Sequence, residues 1–302
     1  MFYLKWRTGK QAGAVTSLAL SFDHTYVASG HATGYIQLYD LKVPATPART
    51  VPPTTLSIVA TGRKEGHIQG SRIISIGFVA GRHTALVSAD EHGLSFFHKL
   101  GKVLFVEAPD ILRILGKYEL GEYASPSGGA PIRKKPRYSV LCMAPLPLGT
   151  QSHPTDAYNA IALLTPTKLV VVGLKPTPRT WFKCTRVQTG KSKDKFRGSL
   201  AWFPSVSSGD KDVGEGTVSK LVEVAGTRPV LLYTWGETLH ILRLVERKFT
   251  QVIPRPGGGK PKETEIGEIH YEDTDSWAAD GDILAAQWLN VNVSPGIRDI
   301  FA

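Results

Sequence analysis

Nine histidines are spread along the 302 residues, and the densest meeting of imidazole with carboxylate is Asp90-Glu91-His92, followed by His98. A metal centre needs three or four converging ligands. His92 falls in a polar turn, where such residues are ordinary, so no metal is expected. A second cluster, "EIHYEDTD", holds Glu268, His270, Glu272, Asp273 and Asp275. Extended backbone would bring Glu268, His270 and Glu272 to one face, but the stretch reads as a solvated loop. Gly190-Lys191-Ser192 has the ending of a phosphate-binding loop. That motif also needs glycine five residues before Gly190, and Thr185 stands there. No apolar strand feeds it and no amphipathic helix follows. Gly257-Gly258-Gly259-Lys260 runs into Pro261 and reads as a flexible loop. No G-x-S-x-G elbow and no H-E-x-x-H pair occurs. The two cysteines, Cys142 and Cys184, read as reduced, buried thiols rather than a disulfide or metal pair. The chemical groups of an enzyme are present without the spacing of one. No catalytic residue, cofactor-binding residue, cofactor or metal ligand is assigned.

The elements that would position such groups are strands. Composition is globular, 42% hydrophobic and 21% charged. No apolar run reaches the roughly 18 residues that span a bilayer. The opening "MFYLKWRTGKQAG" lacks a signal core, so a cytoplasmic protein is expected and the sequon Asn292-Val293-Ser294 carries little weight. The formal charge is +10. Much of it lies in "RKKPR" (Arg133–Arg137), "KSKDKFR" (Lys191–Arg197) and "RPGGGKPK" (Arg255–Lys262). These read first as solvated surface and next as weak attraction to anionic lipid, with Arg133, Lys134, Lys135 and Arg137 the membrane-contact candidates. Nucleic acid is not expected, because the basic stretches lack interleaved aromatics.

Four strand pairs surround short polar turns: Tyr26–Leu41, Thr84–Leu100, Asn159–Pro176 and Arg228–Val245. The turns are His31–Gly34, Asp90–Gly93, Thr165–Lys168 and Trp235–Thr238. This is a hairpin signal repeated four times. Strand-like segments precede the pairs at Gly13–Asp23, Gly70–Gly81, Tyr138–Gly149 and Val218–Pro229, and another begins at Asp282–Val293. The turn and blade-end positions singled out are Gly30, Gly34, Asp40, Asp90, Gly93, Gly173 and Gly236. One short helix is expected within Ala108–Gly121, where Ile111, Leu112 and Leu115 have helical spacing. Repeats of about 60–75 residues exceed the roughly 40–45 of WD-type blades. The excess is assigned to inserts, including Val43–Pro53, Ser125–Arg137 and Ser205–Thr217.

A four-stranded sheet cannot bury both faces alone, and radial packing solves that. The chain therefore reads as all-β, an incomplete WD-like β-propeller of about four and a half blades, with a β-sandwich as the alternative. Blade-like units are placed at 13–42, 70–105, 138–184 and 199–246, with another starting at 282–293. Basic or Pro/Gly-rich loops are placed at 43–69, 125–137, 205–217 and 255–265. Leu169–Val172 is read as a strand leaving a hairpin. Pro176 and Pro178 are read as stiffening a crossing to the next blade, where Trp181 starts a new apolar segment and packs between blades.

"AVTSLALSFDHTYVASGHATGYIQLYDL" resembles a WD-type blade, with Asp40 at the terminal Asp and Tyr39 in place of Trp. "GHIQGSRIISIGFVAGRHTALVSADEHGLSFFHKL", "LLTPTKLVVVGLKPTPRTWFK" and "SLAWFP" are more particular. They resemble the N-terminal propeller of the vacuolar protein sorting-associated protein 8 family, the subunit specific to the CORVET endosomal tethering complex. The resemblance covers about half the chain. It implies a non-enzymatic interaction module that binds an early-endosomal Rab-type GTPase and other tethering-complex subunits. The site would be peripheral on endosomal membranes, late endosome or vacuole, supporting vesicle fusion and protein sorting. It assigns no GTPase contact residue by residue. Family members are longer, with a helical solenoid and a zinc-binding RING-like end, so a fragment or truncated gene product is expected. The reading from a different class is a propeller hydrolase with a polar central-channel site.

Overall fold

Hairpins around tight polar turns organise the chain, and each is completed by an inner and an outer strand. The computed structural model describes residues 11–62, 65–79, 82–100, 102–103, 106–107, 110–118, 139–149, 154–175, 178–186, 197–205, 228–253 and 262–288. The first sheet contains β1 (Val15–Leu20), β2 (Tyr26–His31), β3 (Ile36–Asp40) and β4 (Arg49–Val51), in that order. The second contains β5 (Ile73–Val79), β6 (Arg82–Asp90) and β7 (Ser95–Lys99). After a small hairpin of β8 (Lys102–Val103) and β9 (Val106–Glu107), it is closed by β10 (Asp110–Leu115). The third is β11 (Cys142–Pro145), β12 (Ala160–Leu164), β13 (Lys168–Gly173) and β14 (Arg179–Thr185). The fourth is β15 (Leu200–Phe203), β16 (Val230–Trp235), β17 (Thr238–Ile253) and β18 (Lys262–Ala278). All pairings within these sheets are antiparallel.

Successive sheets pack face to face through three apolar layers. Ala28, Ile36 and Leu38 meet Ile73, Ile76 and Leu86 between the first and second sheets. Val87 and Phe97 meet Ile161, Leu163, Val170 and Val172 between the second and third. Leu164, Leu169 and Val171 meet Leu231, Tyr233 and Leu242 between the third and fourth. The third sheet is therefore covered on both faces, which is why "LVVV" is continuously apolar rather than alternating. The first strands β1, β5, β11 and β15 neighbour one another in turn and form the inside of the array. This is an incomplete β-propeller of four blades.

Several expectations change. Ala108–Gly121 supplies the outer strand β10, not a helix. Ile111 packs toward the first blade while Leu112 and Ile114 pack toward the third. A strand packed on both faces puts apolar residues side by side, even though each is only partly buried here, and that mimics helical spacing. The proline-rich Val43–Pro53 is not all insert, because it contains β4. A short helix, α1 (Leu56–Ala60), follows it, with Thr55 capping its start through Ile58 N–H. Arg179–Thr185 is no crossing to the next blade but the outer strand of the third. Trp181 nonetheless packs between blades, against Tyr158 at 4.8 Å and Tyr271 of β18 at 6.1 Å. The first described strand of the fourth blade is β15, from Leu200, within the unit placed at 199–246; most of Val218–Pro229 lies outside the described residues. "EIHYEDTD" is strand rather than loop and forms part of β18, which extends well past 246. The described part of 282–293, residues 282–288, has no strand.

Residues 282–288 still seat where a further inner strand would lie. Trp202 of β15 donates its indole N–H to Ala144 O of β11 at 2.8 Å. One blade on, Trp288 donates to Ala201 O of β15 at 2.9 Å. Ile283 N–H donates to Gly236 O, and Ala286 N–H to Ser199 Oγ.

Candidate functional site

Gly34, Asp90, Gly93 and Gly236 lie at the tight hairpin turns, whereas Asp40 and Gly173 end β3 and β13 at the opposite end of their hairpins. Gly34, Gly93 and Gly236 have positive φ, at +89°, +85° and +59°, as their turns require. Gly30 is inside β2, and a side chain there would strike Ser17 and Ile73. Gly173 ends β13 under the Trp181 ring. Asp40 ends β3 and accepts Lys42 N–H at 2.8 Å. Arg133, Lys134, Lys135 and Arg137 lie outside the described residues.

Asp90 is the exception in depth. Its carboxylate is fully buried. Oδ1 accepts the N–H groups of His92 and Leu94, both at 3.0 Å, which closes the turn. Oδ2 accepts from His67 Nδ1 at 2.8 Å. His67 Nε2 lies 2.6 Å from Ser88 Oγ, and Ser88 Oγ lies 2.7 Å from His98 Nε2. One proton assignment satisfies all three contacts: His98 Nε2–H to Ser88, Ser88 O–H to His67, His67 Nδ1–H to Asp90. It leaves His98 Nδ1 as a buried acceptor without a partner. Burial, with His67 alongside, pushes the pKa of His98 down to about 3, so it stays neutral.

Asp90, His67 and Ser88 thus have the connectivity of a hydrolase triad. A nucleophile must reach its substrate, however, and all four side chains are buried under Phe96 and the strand pair. Ser88 also spends its hydroxyl between two imidazoles. The arrangement fastens the loop carrying His67 to the hairpin turn and to β7. Sequence reasoning gathered His92 and His98 around Asp90 but missed His67, 23 residues upstream in a stretch read as loop.

A second polar group joins blades three and four. Tyr233 OH donates to Asp273 Oδ2 at 2.8 Å, and His240 Nδ1 lies 3.1 Å from the same oxygen. The Tyr233 and His240 rings stack at 4.6 Å. Cys184 Sγ is 3.9 Å from Tyr233 OH. Burial pushes the thiols of Cys184 and Cys142 up, and Tyr233 up as well. A protonated thiol beside a protonated phenol is a poor nucleophile. Among the described residues, no three His, Cys, Asp or Glu side chains converge as metal ligands, and no helix is long and apolar enough to cross a membrane.

The surface offers recognition instead. Leu18 and Leu20 alternate onto one side of β1 and Phe22 follows in the turn after it; they are 65%, 51% and 66% exposed, while Ala19 packs on the second blade. Exposed apolar rows on an inner strand promote association. Replacing Leu18, Leu20 and Phe22 together by serine is expected to reduce self-association without lowering the melting temperature. Unchanged light scattering at matched concentration would contradict this.

A family model described as the Vps8 beta-propeller matches residues 2–293. Solved structures similar to the chain include Sqt1 of Saccharomyces cerevisiae, at 14% identity over 77% of this chain and 46% of that one, TM-score 0.41. Sqt1 from Chaetomium thermophilum is 15% identical over 77% and 43%, TM-score 0.41. The Cps50 (Swd1) β-propeller domain of Myceliophteria thermophila is 11% identical over 86% and 60%, TM-score 0.39. The chain spans about half the length of these structures. Comparison with curated proteins finds no match.

Proposed function

Because the chain belongs to the Vps8 β-propeller family, we propose that it is a non-enzymatic binding platform of an endosomal tethering complex, recognising a Rab-type GTPase in its GTP state. The family match over nearly the whole chain carries this reading. The buried state of the one triad-like network supports it over the hydrolase alternative. The platform is peripheral on endosomal membranes and acts with other tethering subunits in vesicle tethering, fusion and sorting to the vacuole or lysosome.

GTP orders the switch loops of a small GTPase and GDP releases them. A rigid rim that reads those loops gains affinity in one state only. An interface of roughly 1,200–2,000 Å² would suffice. The basic stretch at Arg133–Arg137 adds lipid attraction, about 1 kcal/mol per Lys or Arg near an anionic surface. The chain is therefore expected to capture GTP-locked early-endosomal Rab over the GDP-locked form. Neutralising Arg133, Lys134, Lys135 and Arg137 should weaken binding to anionic liposomes and leave the nucleotide preference intact. Equal capture of both nucleotide states would reject the GTPase reading.

A further inference from the structure

Each blade ends in an outer strand whose outer edge pairs with no other described strand, and the four edges are chemically unlike. β4 is three residues long. On β10, Arg113 is already paired with Glu65 at 3.3 Å. β18 carries Glu272, Asp273 and Asp275. β14 has seven residues, RTWFKCT, and no acid. The sequence around it is strongly one-signed: between Ala157 and Gly209 stand nine Lys or Arg and one acid, Asp194.

The register shows what this edge presents. Lys168 pairs with Thr185 and Val170 with Lys183, so Lys168 and Lys183 share the face turned toward the second blade. Phe182 and Cys184 take the other face, toward the fourth. Arg186 N–H donates to Thr167 O at 2.9 Å. By antiparallel alternation Cys184 also bonds inward, and Lys183 and Thr185 turn their N–H and C=O outward. Both residues are exposed.

We propose that the outer edge of β14 is a docking strand for an extended acidic peptide segment, which adds to the third blade as a fifth strand. Main-chain bonds to Lys183 and Thr185 supply the pairing. Acidic side chains on one face of the segment oppose Lys183 and Lys168, and apolar ones on the other lie beside Phe182. The partner is thus an alternating acidic–apolar stretch. This inference does not depend on the GTPase reading.

The test titrates the full chain into fluorescein-labelled Ac-Glu-Val-Glu-Val-Glu-Val-Glu-amide and follows anisotropy. Saturable binding is expected, with slowed amide exchange at Lys183 and Thr185. The same peptide N-methylated at alternate residues keeps its charge but cannot pair, and should not bind. K168E/K183E should weaken binding roughly tenfold, given the size of cross-strand charge pairs, with an unchanged melting curve. Equal binding of the N-methylated peptide would overturn the proposal, as would no saturable binding at all. So would displacement of the peptide by phosphatidylserine vesicles with no exchange protection at β14, which would assign the patch to lipid. If K168E/K183E fails to fold, the two peptides on the unaltered chain decide.

Discussion

Asp90→Ala is expected to be the most damaging single substitution outside the apolar layers, costing about 3–5 kcal/mol, since each buried donor left unsatisfied costs about 1–3 kcal/mol. Three donors lose their acceptor at once: His67 Nδ1 and the backbone N–H groups of His92 and Leu94. His67 and Leu94 are buried and cannot turn their donors to water; the N–H of His92 is only partly covered. Domains have only about 5–15 kcal/mol in hand, so urea or thermal melts should show a drop of roughly 10 °C. Asp90→Asn should cost less, because its amide oxygen can still close the turn while its NH₂ faces the His67 donor. Equal losses for alanine and asparagine would mean that the imidazole chain, not the turn, carries the effect.

Acid should weaken the protein through His98. Its folded pKa is about 3, against an ordinary value of 6.5, because burial excludes the charged form. Below pH 6.5 the unfolded chain binds a proton that the folded chain refuses. Stability is therefore complete above the unfolded pKa and declines as pH falls from about 6.5 toward 3. The slope approaches about 1.4 kcal/mol per pH unit, or roughly 2 kcal/mol between pH 7 and pH 5. His31 is displaced the same way, chiefly by burial, and adds to the slope. His98→Phe removes one titrating group and leaves Ser88 able to donate to His67. Urea unfolding at pH 7, 6, 5 and 4 should show a shallower decline for the variant. Parallel declines would place the acid sensitivity elsewhere.

The propeller was legible where alternation and turn chemistry coincided. β2/β3, β6/β7, β12/β13 and β16/β17 each flank a polar turn, and their residues mark the inner layers. Outer strands were harder, each for its own reason. β10 is packed and half-buried on both sides and so lost its alternation. β4 is short and set among prolines. β18 is acidic because an outer strand meets water, and acidity read as loop. β14 follows Pro176 and Pro178, which resemble a connection. The buried network was half legible: Asp90 stands at a hairpin turn with His98 near it. His67 and Ser88 join only once the second blade has folded, since spacing along the chain does not reveal which residues meet across it. No spacing rule points to Cys184, Tyr233, His240 and Asp273, which come from four strands of two blades.

Every described blade is built from consecutive stretches of chain, and its inner strand lies beside the inner strands of the blades before and after it. That bears on how the protein is made. Contacts within a sheet close short loops, which is fast, and contacts between sheets form only with a nearest neighbour. A chain emerging from the ribosome can complete one sheet before the next is synthesised. The third and fourth sheets each offer a backbone carbonyl to the tryptophan that follows, Ala144 to Trp202 and Ala201 to Trp288. Assembly is thus directional, and a slow or misfolded blade holds up those translated after it while leaving earlier ones intact.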